Sequence, residues 1–309
     1  MPGVYPSPHD PRDYHVGTLV KDVRLPLKVD NDHLITRVRD QGYCGTCVGK
    51  AAGAMLSAAL GTDLSSLYIY ARCKEKDGIP HLQGTYPRIA LKVMHRDGAC
   101  PDKMLPYSKL KSCTETPTLT QAMADAAAAN RIDSYARLWT LFEIKRALAG
   151  GCLSLAAVFA GRNWWGYKGG VLGPPDMSEG EYHAVILTGY DDELRAFRGV
   201  NSWGEDWGED GYFWLSYNAF TNNEWFLEAW GIKYTLKEDD DMIKDMDKIP
   251  YDPNKPAWKS KKWWAAGVAF AIPVLNLALG WEIDPAYVWA IISPILAVIL
   301  GQAAVDSTH

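Results

Sequence analysis

Three short segments hold the residues with chemistry in them. Gln41-Gly42-Tyr43-Cys44-Gly45-Thr46-Cys47 comes first, then Tyr182-His183-Ala184-Val185, then Asn201-Ser202-Trp203-Gly204. A glutamine, a cysteine, a histidine and an asparagine, in that order, are the parts of a thiol nucleophile site. A thiol attacks a carbonyl poorly until it becomes a thiolate, and a nearby imidazole stabilises that thiolate by taking its proton. A third polar group hydrogen-bonded to the ring holds the imidazole in a productive orientation. The expected roles are therefore Cys47 as nucleophile, His183 as general base and then acid, and Asn201 as the residue that orients His183.

The surrounding pattern supplies elements to position these groups. Val48 to Leu60 is Ala-rich and stops at Gly61, which predicts a helix with Cys47 at its start. Gly49 and Gly53 are one helical turn apart, so one face of that helix can pack closely on a neighbour. The tight loop Gly42 to Gly45 delivers Cys47 to the helix. Ala184-Val185-Ile186-Leu187 is apolar and partly β-branched, which predicts a buried strand, with residues 195–200 and 211–217 as its sheet neighbours. Helices are predicted over 121–129 and 141–148, the second stopped by Gly150-Gly151, and a strand over 152–160. His183 and Asn201 then sit at strand ends and Cys47 on a helix, which makes a cleft between two subdomains.

The three motifs QGYCGTC, YHAVILTGYDD and NSWGEDWGEDGYFWL resemble those of papain-like (family C1) cysteine peptidases, in the family's order and over roughly residues 30–235. The offsets of His183 and Asn201 from Cys47 fall close to the roughly 130–150 residues found in that family. The resemblance implies an α+β fold of two subdomains, a helical left part and an antiparallel β-sheet right part, and hydrolysis of peptide bonds in a peptide or protein substrate. It implies that the side-chain amide of Gln41 and the backbone N–H of Cys47 form an oxyanion hole. It places Trp203 over the Asn–His hydrogen bond and Gly84, within Gln83-Gly84-Thr85-Tyr86, on the wall of the substrate cleft. Leu64 to Arg72 resembles the second helix of bacterial and viral members. Thr46 and Val48 depart from the family pattern. Val48 carries no proton or charge, so altered packing is expected rather than lost chemistry. By family position, Cys73–Cys113 is the implied disulfide, with Cys44 left to Cys100 or unpaired and the remaining thiols reduced. No metal and no organic cofactor are implied.

Composition narrows the class. The chain has 309 residues, 48% of them hydrophobic, enough for a substantial core. A net charge of −5 argues against nucleic-acid binding, which needs a basic face. There is no phosphate-binding loop, no dinucleotide fingerprint, no metal-ligand spacing among the seven histidines, no N-glycosylation sequon and no internal repeat. Residues 1–34 are Pro- and Asp-rich, which predicts an extended segment, unlike the long inhibitory helical propeptide usual in the family. They show no signal-peptide pattern.

The composition changes after Tyr234. Residues 35–236 are the expected peptidase domain, 237–258 a charged and Pro-rich linker, and 259–309 a two-helix hydrophobic hairpin. Its apolar runs, Trp263 to Gly280 and about Ala286 to Val305, approach the ~20 residues of a spanning helix. Trp263, Trp264, Trp281 and Trp289 lie near their ends, as interfacial aromatics do. A membrane-inserted hairpin over 263–305 is one reading; a hairpin buried within an oligomer is the other. Lys259, Lys261 and Lys262 precede the first run, so translocon insertion would leave the catalytic domain cytoplasmic. The hairpin resembles those of holin-like proteins, which points to a phage or prophage origin. The expected function is a membrane-tethered thiol endopeptidase, a phage virion, tail or lysis-associated component. The alternatives are a catalytically silent papain-fold virion module that enters a membrane, or a transferase or deamidase using the same triad.

Overall fold

A computed structural model describes residues 3–8, 10, 13, 24–222 and 224–233. Contacts divide the chain into two units, Met1–Leu236 and Lys237–His309. The described elements all belong to the first. The linker at 237–258 and the hairpin at 259–309 lie outside the described residues. Among the described residues, no helix is long and apolar enough to cross a membrane.

Six helices occur among the described residues: α1 (Cys47–Leu60), α2 (Ser66–Lys74), α3 (Pro87–Arg96), α4 (Gln121–Ala128), α5 (Leu141–Ala149) and the single turn α6 (Arg162–Trp165). Their ends follow local chemistry. α1 ends at Gly61, whose φ of +62° is the left-handed conformation that glycine adopts without a side-chain clash. Ser65 caps α2 by accepting from the Tyr68 N–H at 3.0 Å. α3 starts with Pro87, whose missing N–H costs nothing in the first turn. Thr140 and Glu143 cap α5 reciprocally, at 3.1 and 3.2 Å.

The strands are β1 (Lys28–Asp30), β2 (Ser134–Leu138), β3 (Ser154–Gly161), β4 (Val171–Leu172), β5 (Gly180–Asp191), β6 (Ala196–Val200), β7 (Tyr212–Ser216) and β8 (Phe226–Lys233). They form one sheet in the order β2-β8-β3-β5-β6-β7-β4, with β1 added along β5. All pairings are antiparallel except β4 with β7. β7 pairs with β6 and not with the His183 strand, whose neighbours are β3, β6 and β1. The 195–200 run is thus a neighbour of that strand, while 211–217 lies one strand further out. His183 is not at a strand end but the fourth residue of β5, opposite Val158 of β3.

α1 joins the two halves of this unit. One face packs on α2, where the backbones come so close that a Cβ on Gly49 would lie 2.7 Å from Tyr70 Cβ, and one on Gly53 2.7 Å from Ser66 Cβ. Its other contacts run to α3 and across β5 and β3. The helix is buried over almost its whole length, so its burial against both partners, rather than an amphipathic stripe, holds it in place.

The disulfide differs from the expected one. Cys44 pairs with Cys113, with Cα atoms 5.1 Å apart, and Cys73, Cys100 and Cys152, like Cys47, are free and buried. Cys73 faces inward from α2 with no exposure, whereas Cys44 lies on the loop ahead of α1, within reach of the segment that carries Cys113. Pairing by family position fails because burial on α2 takes Cys73 out of reach.

Candidate active site

Cys47 is the first residue of α1, so the helix N-terminus points its free N–H groups at the thiol. The backbone N–H groups of Ala184, Val48 and Cys47 itself all favour the thiolate. Burial outweighs them and pushes the Cys47 thiol up to about 12. Cys47 is 1% exposed and His183 2%. The Ala184 amide is the residue after His183, so β5 brings the imidazole to the start of α1.

His183 Nε2 donates to Asn201 Oδ1 at 2.7 Å. The same oxygen accepts the Ser202 N–H, also at 2.7 Å, so the asparagine is itself fixed. With Nε2 occupied, Nδ1 is the ring nitrogen left to the thiol. Burial pulls His183 down to about 4, and the Asn201 bond works in the opposite direction by favouring the charged ring. In this arrangement burial disfavours the charged form of both groups.

Gln41 is tied to the opposite half of the site. Its N–H donates to Ser202 O at 2.9 Å, and its Oε1 accepts from Ser202 Oγ at 2.7 Å. One N–H of its side-chain amide donates to Cys44 O at 2.9 Å. The second is available to an incoming oxyanion, next to the amides at the start of α1. Trp203 lies with its ring centroid 4.9 Å from that of His183, which shields the His–Asn bond.

Gly84 turns the chain with φ of +80°. Its N–H donates to the Tyr70 hydroxyl at 3.2 Å, and its carbonyl accepts from buried Lys74 at 2.9 Å. The next residue, Thr85, pairs through its backbone with the N-terminal segment. Its carbonyl accepts from Tyr5 N at 3.1 Å and its N–H donates to Gly3 O at 3.4 Å. The cleft is therefore filled by the chain's own start. A Cβ built on Gly3 would fall 2.4 Å from the Sγ of Cys47.

Several residues at the site lie outside the three motifs. Gln83 Oε1 accepts from the Gly45 N–H at 2.7 Å and so holds the loop before the nucleophile. The Tyr107 hydroxyl donates to Gln41 O at 2.8 Å and lies 2.7 Å from Thr46 Oγ1, and its ring carries Lys50 Nζ 3.1 Å from the centroid. Trp164 completes the aromatic wall, with its ring 6.3 Å from that of His183 and its carbonyl accepting from Trp207 Nε1 at 2.8 Å. The adjacent Trp164-Trp165 pair was the one available signal, since two large aromatics beside a strand end often line a site. Among the described residues, no three His, Cys, Asp or Glu side chains converge as metal ligands.

Comparison with known proteins agrees with this geometry. Residues 25–228 match the model of the papain family cysteine proteases. Papain from Carica papaya is 26% identical over 62% of this chain and 55% of its own length. The gamete and mating-type specific protein A of Dictyostelium discoideum is 28% identical over 60% of this chain and 41% of its own. The chain thus spans about half the length of these two relatives. Xylellain, a cysteine protease from Xylella fastidiosa, superposes with a TM-score of 0.65 and 29% identity, covering 76% of this chain and 96% of that structure. With a helix-borne cysteine against a sheet-borne histidine and a family match over most of its length, the chain belongs to the papain family of cysteine proteases.

Proposed function

We propose that the protein is a thiol endopeptidase that hydrolyses peptide bonds through Cys47, His183 and Asn201. The observation that carries this reading is the 2.7 Å bond from His183 Nε2 to Asn201 Oδ1, beside a cysteine at the first position of α1. Proton transfer from Sγ to the imidazole generates the thiolate. Attack on the scissile carbonyl gives an oxyanion that receives the free amide N–H of Gln41 and the Cys47 N–H, donors of a kind worth roughly 3–4 kcal/mol. The imidazolium then protonates the leaving amine, and water, deprotonated by the same ring, releases the acyl group. Cys47→Ala should lower hydrolysis of an unfolded protein by at least ~10³-fold while the thermal transition stays in place. Undiminished turnover in that variant refutes the assignment.

The same reading extends to the tail as a proposal. Residues 263–305 tether the enzyme to a membrane, and the tether's likeness to holin-type hairpins supports a role in a phage particle or in lysis. Full-length protein that stays with membranes through alkaline carbonate washing, while a chain ending at 236 does not, supports the tether. Release of the full chain by the wash rejects it. The Cys44–Cys113 disulfide bears on the topology, because such bonds persist in oxidising surroundings and are rare in the cytosol.

A further inference from the structure

The Asn201 amide is used on one branch only. Oδ1 accepts from His183 and from the Ser202 N–H, while Nδ2 is buried without a hydrogen bond. Arg39, 4% exposed, repeats the pattern. Its Nη2 donates to Ser57 Oγ at 2.9 Å, Asp63 Oδ1 at 3.0 Å and Leu64 O at 3.1 Å, but its buried Nε has no partner. Lys50 is also 4% exposed and carries its ammonium 3.1 Å from the centre of the Tyr107 ring. None of the ion pairs among the described residues includes it. A buried donor that has given up water without gaining an acceptor costs free energy, and a buried charge costs more.

All three residues line one cavity of about 250 Å³, part of it open to solvent, with Arg37 as a fourth. The remaining walls are largely apolar, from Ala51 and Ala54 of α1 and the stretch 184–186 of β5, so charge inside is weakly screened. The local charge is lopsided. Arg37 and Arg39 share Asp63, Arg37 also takes Asp102, and no carboxylate is left for Lys50. Burial, Arg39 and Arg37 pull the Lys50 ammonium down to about 7, against the weaker pull of Asp40 and Asp102. A water molecule accepts through two lone pairs, and its own protons then need acceptors. A monatomic anion accepts from every donor around it and brings the charge that is missing. We propose that this cavity between α1 and β5 binds a small inorganic anion of the halide class, held by Arg39 Nε, Lys50 Nζ and Asn201 Nδ2. The inference stands whether or not Cys47 is the nucleophile.

The test uses the full chain and two readouts. The first is the thermal midpoint in sodium chloride against sodium gluconate at equal ionic strength, at a pH below 7 where Lys50 is charged. A ligand that binds only the folded state raises the midpoint with its concentration, and chloride should raise it by about 3 °C at roughly ten times its dissociation constant. Gluconate is too large for the cavity and should not. Lys50→Met removes one donor and the unpaired charge, and should abolish the difference between the two salts. The second readout is an anomalous difference map from crystals of the parent soaked in sodium bromide, with a peak expected within hydrogen-bond reach of Arg39 and Asn201. Equal midpoints in the two salts overturn the inference, as does the same chloride-specific rise in Lys50→Met. Bromide found only on the surface, with water alone in the cavity, also overturns it. If Lys50→Met does not fold, the bromide map decides.

Discussion

Asn201 holds His183 with its oxygen alone: Oδ1 sits 2.7 Å from Nε2, while the buried Nδ2 makes no hydrogen bond. The bond favours the charged imidazole against a burial cost that already takes the ring down to about 4. Asn201→Ala removes the hydrogen bond that opposes burial, so the pKa of the ring falls further and the imidazolium of the working site becomes harder to form. We expect kcat/KM to fall by roughly 10²-fold, about 2.7 kcal/mol of transition-state stabilisation, with KM little changed. Steady-state kinetics on an unfolded protein substrate checks this, and a change confined to KM contradicts it.

Lys50 is buried on α1 beside Arg39, and its ammonium is pulled from 10.5 down to about 7, first by burial and then by the positive charges of Arg39 and Arg37. The Tyr107 ring face works the other way, by favouring the cation. Because the folded state holds this proton less tightly than the unfolded one, stability rises as pH goes from about 7 toward 10.5 and is lost again on the way down. Lys50→Met keeps the stem's volume and removes the charge. It should raise the thermal midpoint at pH 7 and flatten the slope of stability against pH across that window. Identical pH profiles for parent and variant would show that the group does not titrate there.

Gly53 sits where a methyl group would meet Ser66 Cβ at 2.7 Å. By helix propensity alone, Gly→Ala in a helix interior gains about 1 kcal/mol. Here the overlap with α2 wins, and overpacking of this kind costs typically 1–3 kcal/mol. Gly53→Ala should therefore lower stability in denaturant titration. A gain would mean that α1 and α2 can move apart freely.

The Cys44–Cys113 bond spans a sequence separation of 69 residues. In the chain-entropy account, a loop of that size contributes about 4 kcal/mol. Cys113→Ser should lower the thermal midpoint by several degrees. It should also loosen the loop whose Cys44 carbonyl holds Gln41, so that the loss of kcat exceeds what the midpoint predicts at the assay temperature. Unchanged kcat well below the midpoint would separate the bond from the site.

The residues of the three motifs were legible because their signals are local. A turn that delivers Cys47, an Ala-rich helix with paired glycines, and an apolar strand after His183 are each set by a few adjacent side chains. α3 was missed although it begins at Pro87, because its apolar residues follow a glycine- and proline-rich stretch that reads as loop. The order of the sheet was only half legible: β6 adjoins β5, but β7 lies beyond β6, and periodicity does not encode which strand lies next to which. The disulfide could not be read because it depends on where residue 113 comes to rest. The segment at Gly3–Pro8 has no period at all. Its place is set by hydrogen bonds to Thr85, Arg88 and Glu228, all far away in sequence.

The protein carries a bonded sulfur, that of Cys44, three positions ahead of a sulfur that must stay unbonded. Chemistry that strips Cys44 from Cys113 loosens the loop, and chemistry that oxidises Cys47 ends its nucleophilicity. The enzyme is thus confined to a band of ambient reduction potential with a floor and a ceiling. Titration against glutathione mixtures of graded ratio should trace a maximum in activity rather than a steady rise.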